Sequence, residues 1–255
     1  MRDTTDNVAH DDNKSFYNHF WSHRPALRNK HELIRAALII KAIAEHVPDA
    51  GNRLLSICDF GCGIGWLSNE LTKFGQVTGI DFSSTAIESA IQHWPGINFQ
   101  VGDVRSWIPA KSYDLVVSSE VAEHIPDENK PAYFQSLAKL VSPAGYLLIT
   151  TPNKKVKTVW ARTNHENQLL EQWLTPGELR KNLETEFSII DHSTFFFEYS
   201  NNSYMRIVNS VKLRKILHIF HLLRVFDGLA SELGLGLYQL LVAKRRASPT
   251  GMCQG

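Results

Sequence analysis

Cysteine is scarce in this chain and shows no paired spacing. The 255 residues include three cysteines, Cys58, Cys62 and Cys253, and the first two share one apolar, glycine-rich stretch. This distribution argues against a disulfide framework and against a zinc site. Apolar runs are short as well, and none reaches the roughly 18 residues of a membrane-spanning helix. The stretch 1–15 is polar and acidic, unlike a signal peptide, so we expect a disordered tail and a reducing, cytoplasmic compartment.

Net charge is also nearly absent. The chain has 27 lysines and arginines against 26 aspartates and glutamates, a formal charge of +1. A nucleic-acid-binding domain usually has a clear positive excess, so the composition makes nucleic acid an unlikely partner. The hydrophobic share of 43% is that of an ordinary globular protein, which can form its core without disulfides or metals.

Apolar runs alternate with helical patterns along most of the chain. Seven runs predict strands, and they lie at 53–60, 76–82, 97–104, 113–120, 145–153, 187–193 and 236–246. Helical periodicity and capping residues predict helices at 30–47, 65–75, 83–94, 129–141 and 175–185. Alternating strands and helices predict an α/β fold in which a largely parallel sheet is covered on both faces.

The first predicted strand leads into the glycine-rich stretch DFGCGIG, which precedes a helix. Gly61 and Gly63 allow a tight turn and a close approach of a ligand to the backbone. The second strand ends at Asp81, where a carboxylate can accept both ribose hydroxyls of a nucleotide-like cofactor. We therefore interpret the order of strand, glycines, helix, strand and acid as a cofactor site.

Two residues distinguish between cofactors. A dinucleotide-binding loop needs a third glycine where this chain has Trp66, and an indole there would crowd the packing of helix on strand. Asp103, at the end of the third strand, can accept from an adenine amino group. A nicotinamide-dependent oxidoreductase is therefore the disfavoured alternative from another enzyme class.

Taken in order, these stretches resemble the class I S-adenosylmethionine-dependent methyltransferases. The matching pieces are DFGCGIG, GIDFS, GDV, YDLVVSSEVAEHI and SPAGYLLITTPN, over 53–153, with weaker agreement to 246. The resemblance implies a Rossmann-like three-layer sandwich with a seven-stranded, mostly parallel sheet and an antiparallel last strand. It also implies S-adenosylmethionine as cofactor. The cofactor-binding residues that it implies are Asp59, Gly61, Cys62, Gly63, Asp81, Phe82, Asp103, Val104 and Ser119.

The stretch SSEVAEHIPD most resembles the ubiquinone-biosynthesis O-methyltransferases. That resemblance implies a divalent metal such as Mg²⁺ at Glu120, Glu123 and His124. Without a metal, His124 or His165 is the expected general base, because imidazole titrates near neutral pH. A third interpretation stays open, in which the acid only caps or orients the loop. In each case we expect the three residues of this stretch, spaced i, i+3 and i+4, to face the acceptor pocket.

The methyl acceptor is not evident from the sequence. We expect O-methylation of a small-molecule, glycan or lipid-linked hydroxyl. The alternative is a metal-dependent RNA 2′-O-methyltransferase, because such enzymes have a similar Glu-x-x-Glu-His and a later histidine, which His165 matches. The stretch 154–162 adds local positive charge and an indole for stacking.

The expected domain organisation places a tail and capping helix at 1–50, the methyltransferase domain at 51–246 and a flexible tail at 247–255. A helical insertion or lid is expected at about 200–235. Within it, 203–230 has the pattern of an amphipathic helix, for which packing on the domain is favoured over peripheral contact with a membrane. The aromatic segment 16–25 is expected to fold over the cofactor, with Arg24 near the cofactor carboxylate.

Overall fold

A computed structural model describes residues 15–21, 29–103, 111–160, 171–197, 210–219 and 221–246. These residues form one seven-stranded sheet of strand order β3-β2-β1-β4-β5-β7-β6. The strands are β1 (Leu55–Phe60), β2 (Gly75–Asp81), β3 (Asn98–Val101), β4 (Tyr113–Ser119), β5 (Val141–Pro152), β6 (Phe187–Phe195) and β7 (Tyr238–Arg245). Strands β1 to β5 pair in parallel, and β7 runs antiparallel to both β5 and β6. The expected sheet with an antiparallel last strand is confirmed.

Helices cover both faces of this sheet. They are α1 (15–21), α2 (Lys30–His46), α3 (Trp66–Leu71), α4 (Ser84–His93), α5 (Lys130–Leu140), α6 (Lys154–Trp160), α7 (Pro176–Leu183), α8 (Val211–Ile219) and α9 (Leu223–Glu232). On one face α5 and α7 bury Tyr133, Leu137 and Leu179 against the strands. On the other face α2 and α3 bury Ile39 and Leu71. Apolar residues on both faces of the strands explain why these runs lack the alternation of a half-exposed sheet.

Two predicted elements have different bounds in the structure. The helix predicted at 65–75 ends at Leu71, and a 3₁₀ turn then leads to Gly75, the first residue of β2. A side chain at Gly75 would collide with the backbone of Leu55 in β1, so this glycine allows two strands to pair closely as well as following the 3₁₀ turn. The amphipathic stretch at 203–230 contains two helices, α8 and α9, in its described part.

Capping residues in the sequence fix the N-termini of two helices, α2 and α7. The Asn29 side chain accepts from the Glu32 amide, and the Glu32 carboxylate accepts from the Asn29 amide, which fixes the first turn of α2. Thr175 and Glu178 make the same reciprocal pair at α7. Such caps contribute about 1 kcal/mol each. The predicted cap of α7 is therefore confirmed. The cap of α2 holds that helix where its side chains reach the carboxyl ends of the strands.

An ion pair joins β1 and β4 at the opposite end of the sheet. The Asp114 carboxylate accepts from Arg53 Nη1 and Nη2 at 3.1 and 3.0 Å. It also accepts from the amide and the hydroxyl of Ser56, both at 2.8 Å. These donors, Arg53 first, lower the pKa of Asp114 to about 2. The ionised carboxylate therefore stabilises the folded state.

We predict that Asp114→Asn lowers the free energy of unfolding by about 1–3 kcal/mol at neutral pH, because charge-assisted hydrogen bonds are lost. The folded pKa lies below the unfolded value of about 3.9, so the contribution is complete above pH 4 and is lost as the pH falls through 2. Urea unfolding of both proteins at a series of pH values measures this difference. The exposed variant Glu70→Gln serves as control, and a difference that stays constant down to pH 2 would contradict the prediction.

Candidate active site

A cavity of about 460 Å³ opens at the carboxyl ends of β1, β2 and β4. This is the side on which open α/β sheets bind ligands. Three expected site residues, Val104, His165 and Arg24, lie outside the described residues. All other expected site residues line the cavity, and these are Asp59, Gly61, Cys62, Gly63, Asp81, Phe82, Asp103, Ser119, Glu120, Glu123 and His124. The fold thus brings together residues that are up to 65 positions apart in the chain.

The glycine loop, residues 61–65, folds back over the end of β2. The amides of Gly61 and Cys62 both donate to the Ile80 carbonyl, at 2.7 and 2.9 Å. Gly61 has a φ of +86° and Gly63 a φ of +53°, in the left-handed region that disfavours side chains. A Cβ on Gly63 would also lie 2.7 Å from the Trp21 ring of α1. Both glycines are therefore needed for the turn, and the missing Cβ of Gly63 allows Trp21 to pack closely on the loop.

Asp81 connects the glycine loop to the end of β2. One carboxylate oxygen accepts from the Gly63 amide at 2.9 Å, and the other accepts from the Ser83 amide at 2.9 Å. The side chain is 5% exposed, and this burial raises its pKa even though the amides oppose the shift. Each oxygen has a second lone pair that a ligand hydroxyl can use. Asp81 is therefore held in a fixed orientation before any ligand binds.

Asp59 is a second acid beside the glycine loop, on the part of the cavity that we call the glycine-loop side. It lies at the end of β1. Its carboxylate accepts from the Ser68 hydroxyl at 2.6 Å, and burial raises its pKa to about 7. A positive ligand beside it would favour the ionised form. This side of the cavity is thus suited to a group that has positive charge and hydroxyls.

The acidic turn, residues 120–124, follows β4. Glu120 has a φ of +58°, and its side chain accepts from the Thr150 hydroxyl at 3.1 Å. Its other oxygen lies 3.4 Å from Arg35 Nη1 of α2, with both side chains largely buried. Burial raises the pKa of Glu120 to about 7, and Arg35 opposes that shift. The Ser119 hydroxyl pairs with Thr150 as well, at 2.8 Å.

Glu123 and His124 belong to a 3₁₀ turn, Ala122–His124. Glu123 is 2% exposed and accepts from the Thr151 hydroxyl at 2.9 Å. Its other oxygen lies 3.7 Å from His124 Nε2, and burial raises the pKa of Glu123 to about 7. The turn is tighter than the helical turn expected from the spacing. Even so, both side chains line the cavity together with Glu120. That this part of the cavity receives the acceptor stays a prediction.

The arrangement of these side chains bears on the expected metal. The Arg35 guanidinium already provides a cation beside Glu120, and the hydroxyls of Thr150 and Thr151 occupy oxygens of the two carboxylates. Among the described residues, no group of three or more His, Cys, Asp or Glu side chains is placed to hold a metal ion. Metal binding at Glu120, Glu123 and His124 therefore stays a prediction that this geometry disfavours.

Several cavity residues were not singled out from the sequence. Tyr17 and Trp21 come from α1, which lies over the glycine loop as expected for the aromatic segment. Arg35 comes from α2. The only sequence feature that could have marked it as a site residue is its position as a charged residue among apolar neighbours. The cavity wall also has three aromatic side chains from elements far apart in the sequence, and these are Trp160, Trp173 and Tyr238. Trp160 was expected from the sequence as a stacking surface, whereas Trp173 and Tyr238 were missed.

Two curated proteins with similar sequences share one activity in their names. The ubiquinone biosynthesis O-methyltransferase of Rickettsia bellii is 35% identical over 129 residues, 49% of this chain and 52% of the relative. The protein of the same name from Rhodopseudomonas palustris is 32% identical over 148 residues, 51% of this chain and 56% of the relative. The chain thus spans about half the length of the curated relatives that it matches.

Solved structures share the fold at low sequence identity. The N-methyltransferase NodS of Bradyrhizobium japonicum, solved with S-adenosylhomocysteine, has a TM-score of 0.61 at 15% identity, over 92% of this chain and 100% of that one. The magnesium protoporphyrin IX methyltransferase of Synechocystis, solved with S-adenosylmethionine, has a TM-score of 0.56 at 20% identity, over 91% of each chain. The family model described as a methyltransferase domain matches residues 20–196, which include the glycine loop, Asp81 and the acidic turn. With its fold, its cavity and this match in agreement, the chain belongs to the methyltransferase-domain family.

Proposed function

We propose that this protein transfers a methyl group from S-adenosylmethionine to a hydroxyl oxygen of a small or lipid-linked acceptor. The observation that carries this proposal is the convergence of the glycine loop, Asp81 and the acidic turn on one cavity. The names of the curated relatives support oxygen as the methylated atom. A glycan-linked hydroxyl is the other acceptor class that the sequence suggested, and no described feature favours it.

The residues of the glycine-loop side would hold the cofactor. Gly61 and Gly63 allow the tight turn of the loop, with φ values that disfavour side chains, and Asp81 is oriented to accept from ribose hydroxyls. Asp59 adds negative charge near the loop, which suits the positive charges of S-adenosylmethionine. When bound, the cofactor supplies a methyl group that its sulfonium has already activated.

The acidic turn would accept the proton that the hydroxyl of the acceptor loses. His124 is the proposed general base, and the Glu123 carboxylate at 3.7 Å would stabilise the imidazolium that forms. The hydroxyl oxygen of the acceptor gains the methyl group, the bond from methyl carbon to sulfur breaks, and the hydroxyl proton passes to His124. The buried walls hold the acceptor in line and exclude water, which is the main contribution that a protein makes to such a transfer.

RNA methylation remains the secondary alternative, and the described lysines near 154–160 do not favour it. Lys154 lies 3.5 Å from Glu178, and Lys155 donates to the Leu233 carbonyl. Lys157 donates to the Glu171 carbonyl at 2.7 Å. These cations interact with the protein itself, so the local positive charge of this stretch does not form an exposed phosphate-binding stripe.

The helical pair, α8 and α9, bears on a lipid-linked acceptor. One face packs on the domain, where Ala230 joins a buried cluster with Trp173 and Leu237 of the cavity wall. The other face has exposed lysines, Lys212 and Lys215. It also has a stripe of exposed apolar side chains, with exposed fractions between 50% and 70%. These are Ile216, Ile219, Leu222, Val225, Leu229 and Leu233.

We infer that this outer face lies on an anionic bilayer surface. An apolar stripe flanked by lysines is complementary to such a surface, and the adjoining cavity wall would then receive an acceptor from the lipid. None of the described helices is long and apolar enough to cross a membrane. The inferred contact is therefore peripheral.

Asp81→Ala tests the cofactor assignment. The variant should bind S-adenosylhomocysteine about 3 kcal/mol more weakly, roughly a hundredfold, because hydrogen bonds to the ribose are lost. Isothermal titration calorimetry measures the affinity, with the distant variant Asp49→Ala as control. NADH should bind neither protein. Equal affinity in the wild type and in Asp81→Ala would refute the role of this carboxylate.

Metal removal tests the arrangement around Arg35. We expect the melting temperature and the affinity for S-adenosylhomocysteine to be the same in EDTA and in excess Mg²⁺ or Mn²⁺. Arg35→Ala should lower the free energy of unfolding by about 1–3 kcal/mol, because Glu120 is left without its cation. Adding Glu120→Gln should cost less in that background than in the wild type. A clear stabilisation of the wild type by Mg²⁺ would instead favour a metal site.

The membrane contact has its own test. The wild-type protein should float with vesicles that contain phosphatidylglycerol at low salt, and flotation should decrease as salt rises. Ile219→Ser with Val225→Ser should reduce flotation. Leu54→Ser removes an equally exposed apolar residue elsewhere and should not. Wild-type protein that stays with the unbound fraction at every salt concentration would eliminate this inference.

A further inference from the structure

The hydroxyl of Tyr17 is buried, and it has no hydrogen-bond partner among the described residues. A buried polar group without a partner destabilises a fold, and most such groups in native proteins are satisfied. The Tyr17 side chain lines the cavity. Its unsatisfied hydroxyl is therefore a group that a bound molecule can satisfy.

The surroundings of Tyr17 place it between the two sides of the cavity. Its ring packs edge-on against Phe82, at the end of β2, with ring centres 5.4 Å apart. It packs in the same way against His124 of the acidic turn, at 5.5 Å. The same helix is fixed to the glycine-loop side, because the Ser83 hydroxyl donates to the Asn18 side chain at 2.6 Å. Tyr17 thus lies where a ligand on Asp81 would approach His124.

The electrostatics of the site decide which role the hydroxyl can take. Burial raises the pKa of Tyr17 far above its ordinary value, and the negative charges of Glu123, Glu171 and Asp81 raise it further. The group therefore stays protonated and donates its hydrogen. Its natural partner is an acceptor atom, such as a ribose or carboxylate oxygen.

We propose that the Tyr17 hydroxyl donates a hydrogen bond to an oxygen of the bound cofactor, at the junction between the cofactor and the methyl acceptor. This inference rests on the proposed function. It makes α1 a part of the binding site through a specific polar contact, in addition to the cover that its aromatic rings provide. It also explains why the hydroxyl is unsatisfied in the unbound protein, since its hydrogen-bond acceptor would be an oxygen of the ligand.

Tyr17→Phe separates this role from a structural one, because the two predict opposite effects. Without ligand, the variant should melt at the same temperature as the wild type or up to about 2–4 °C higher, since an unsatisfied group has been removed. Its affinity for S-adenosylhomocysteine should fall about three- to tenfold. Differential scanning calorimetry and titration calorimetry give the two values.

Tyr133→Phe is the matched control. The Tyr133 hydroxyl is also buried, but it pairs with the Ser118 hydroxyl at 2.8 Å, and Tyr133 belongs to the face of α5 that packs on the sheet. Removing it should lower the melting temperature and leave the affinity of the folded protein unchanged. The comparison shows whether loss of a buried tyrosine hydroxyl is by itself enough to weaken binding.

Two results would overturn the proposal. Unchanged affinity in Tyr17→Phe would mean that the hydroxyl does not meet the cofactor. A melting temperature that falls as in Tyr133→Phe would mean that the hydroxyl has a partner within the protein. Asp81→Ala distinguishes these results from failure of the proposed function. If that variant loses affinity while Tyr17→Phe keeps it, only the role of Tyr17 is wrong.

Discussion

The hydrogen bond from the Gly63 amide to the Asp81 carboxylate determines the shape of the cavity. It joins the loop after β1 to the last residue of β2, so two neighbouring strands share one rigid edge. Because both partners are buried, this bond is shielded from water and is expensive to break. The course of the glycine loop and the orientation of Asp81 both depend on it.

This edge of the sheet concentrates carboxylates that the protein does not fully neutralise. Burial raises the pKa of Asp59, Glu120 and Glu123 to about 7, and Arg35 is the cation that acts on the latter two. Burying acids in this way destabilises the unliganded protein. A ligand with positive charge would relieve that cost, which means that affinity and stability are coupled at this site.

Local patterns made much of the fold and half of the site predictable from the sequence. The glycine loop, Asp81 and the acidic turn lie at strand ends, and parallel strands bring those ends to one edge. Tyr17, Arg35 and Tyr238 were not predictable, because tertiary packing alone brings their elements to the cavity. The sequence pattern predicted one helix where the structure has two, because the positive φ of +57° at the turn between them falls on His221 and no glycine marks that turn.

The antiparallel course of β7 has a consequence for how such enzymes diversify. Tyr238 at the start of β7 pairs with Pro152 at the end of β5, so the chain re-enters the sheet at the ligand edge directly after α9. A change in the length or composition of the segment between β6 and β7 would therefore alter the cavity at Leu237 and Tyr238, on the side that we propose to face the acceptor. The loop after β1 and the end of β2 lie on the other side of the sheet order and are untouched by it. Under the proposed function, selection or engineering could thus change the acceptor preference through this one segment and leave the proposed cofactor side unchanged.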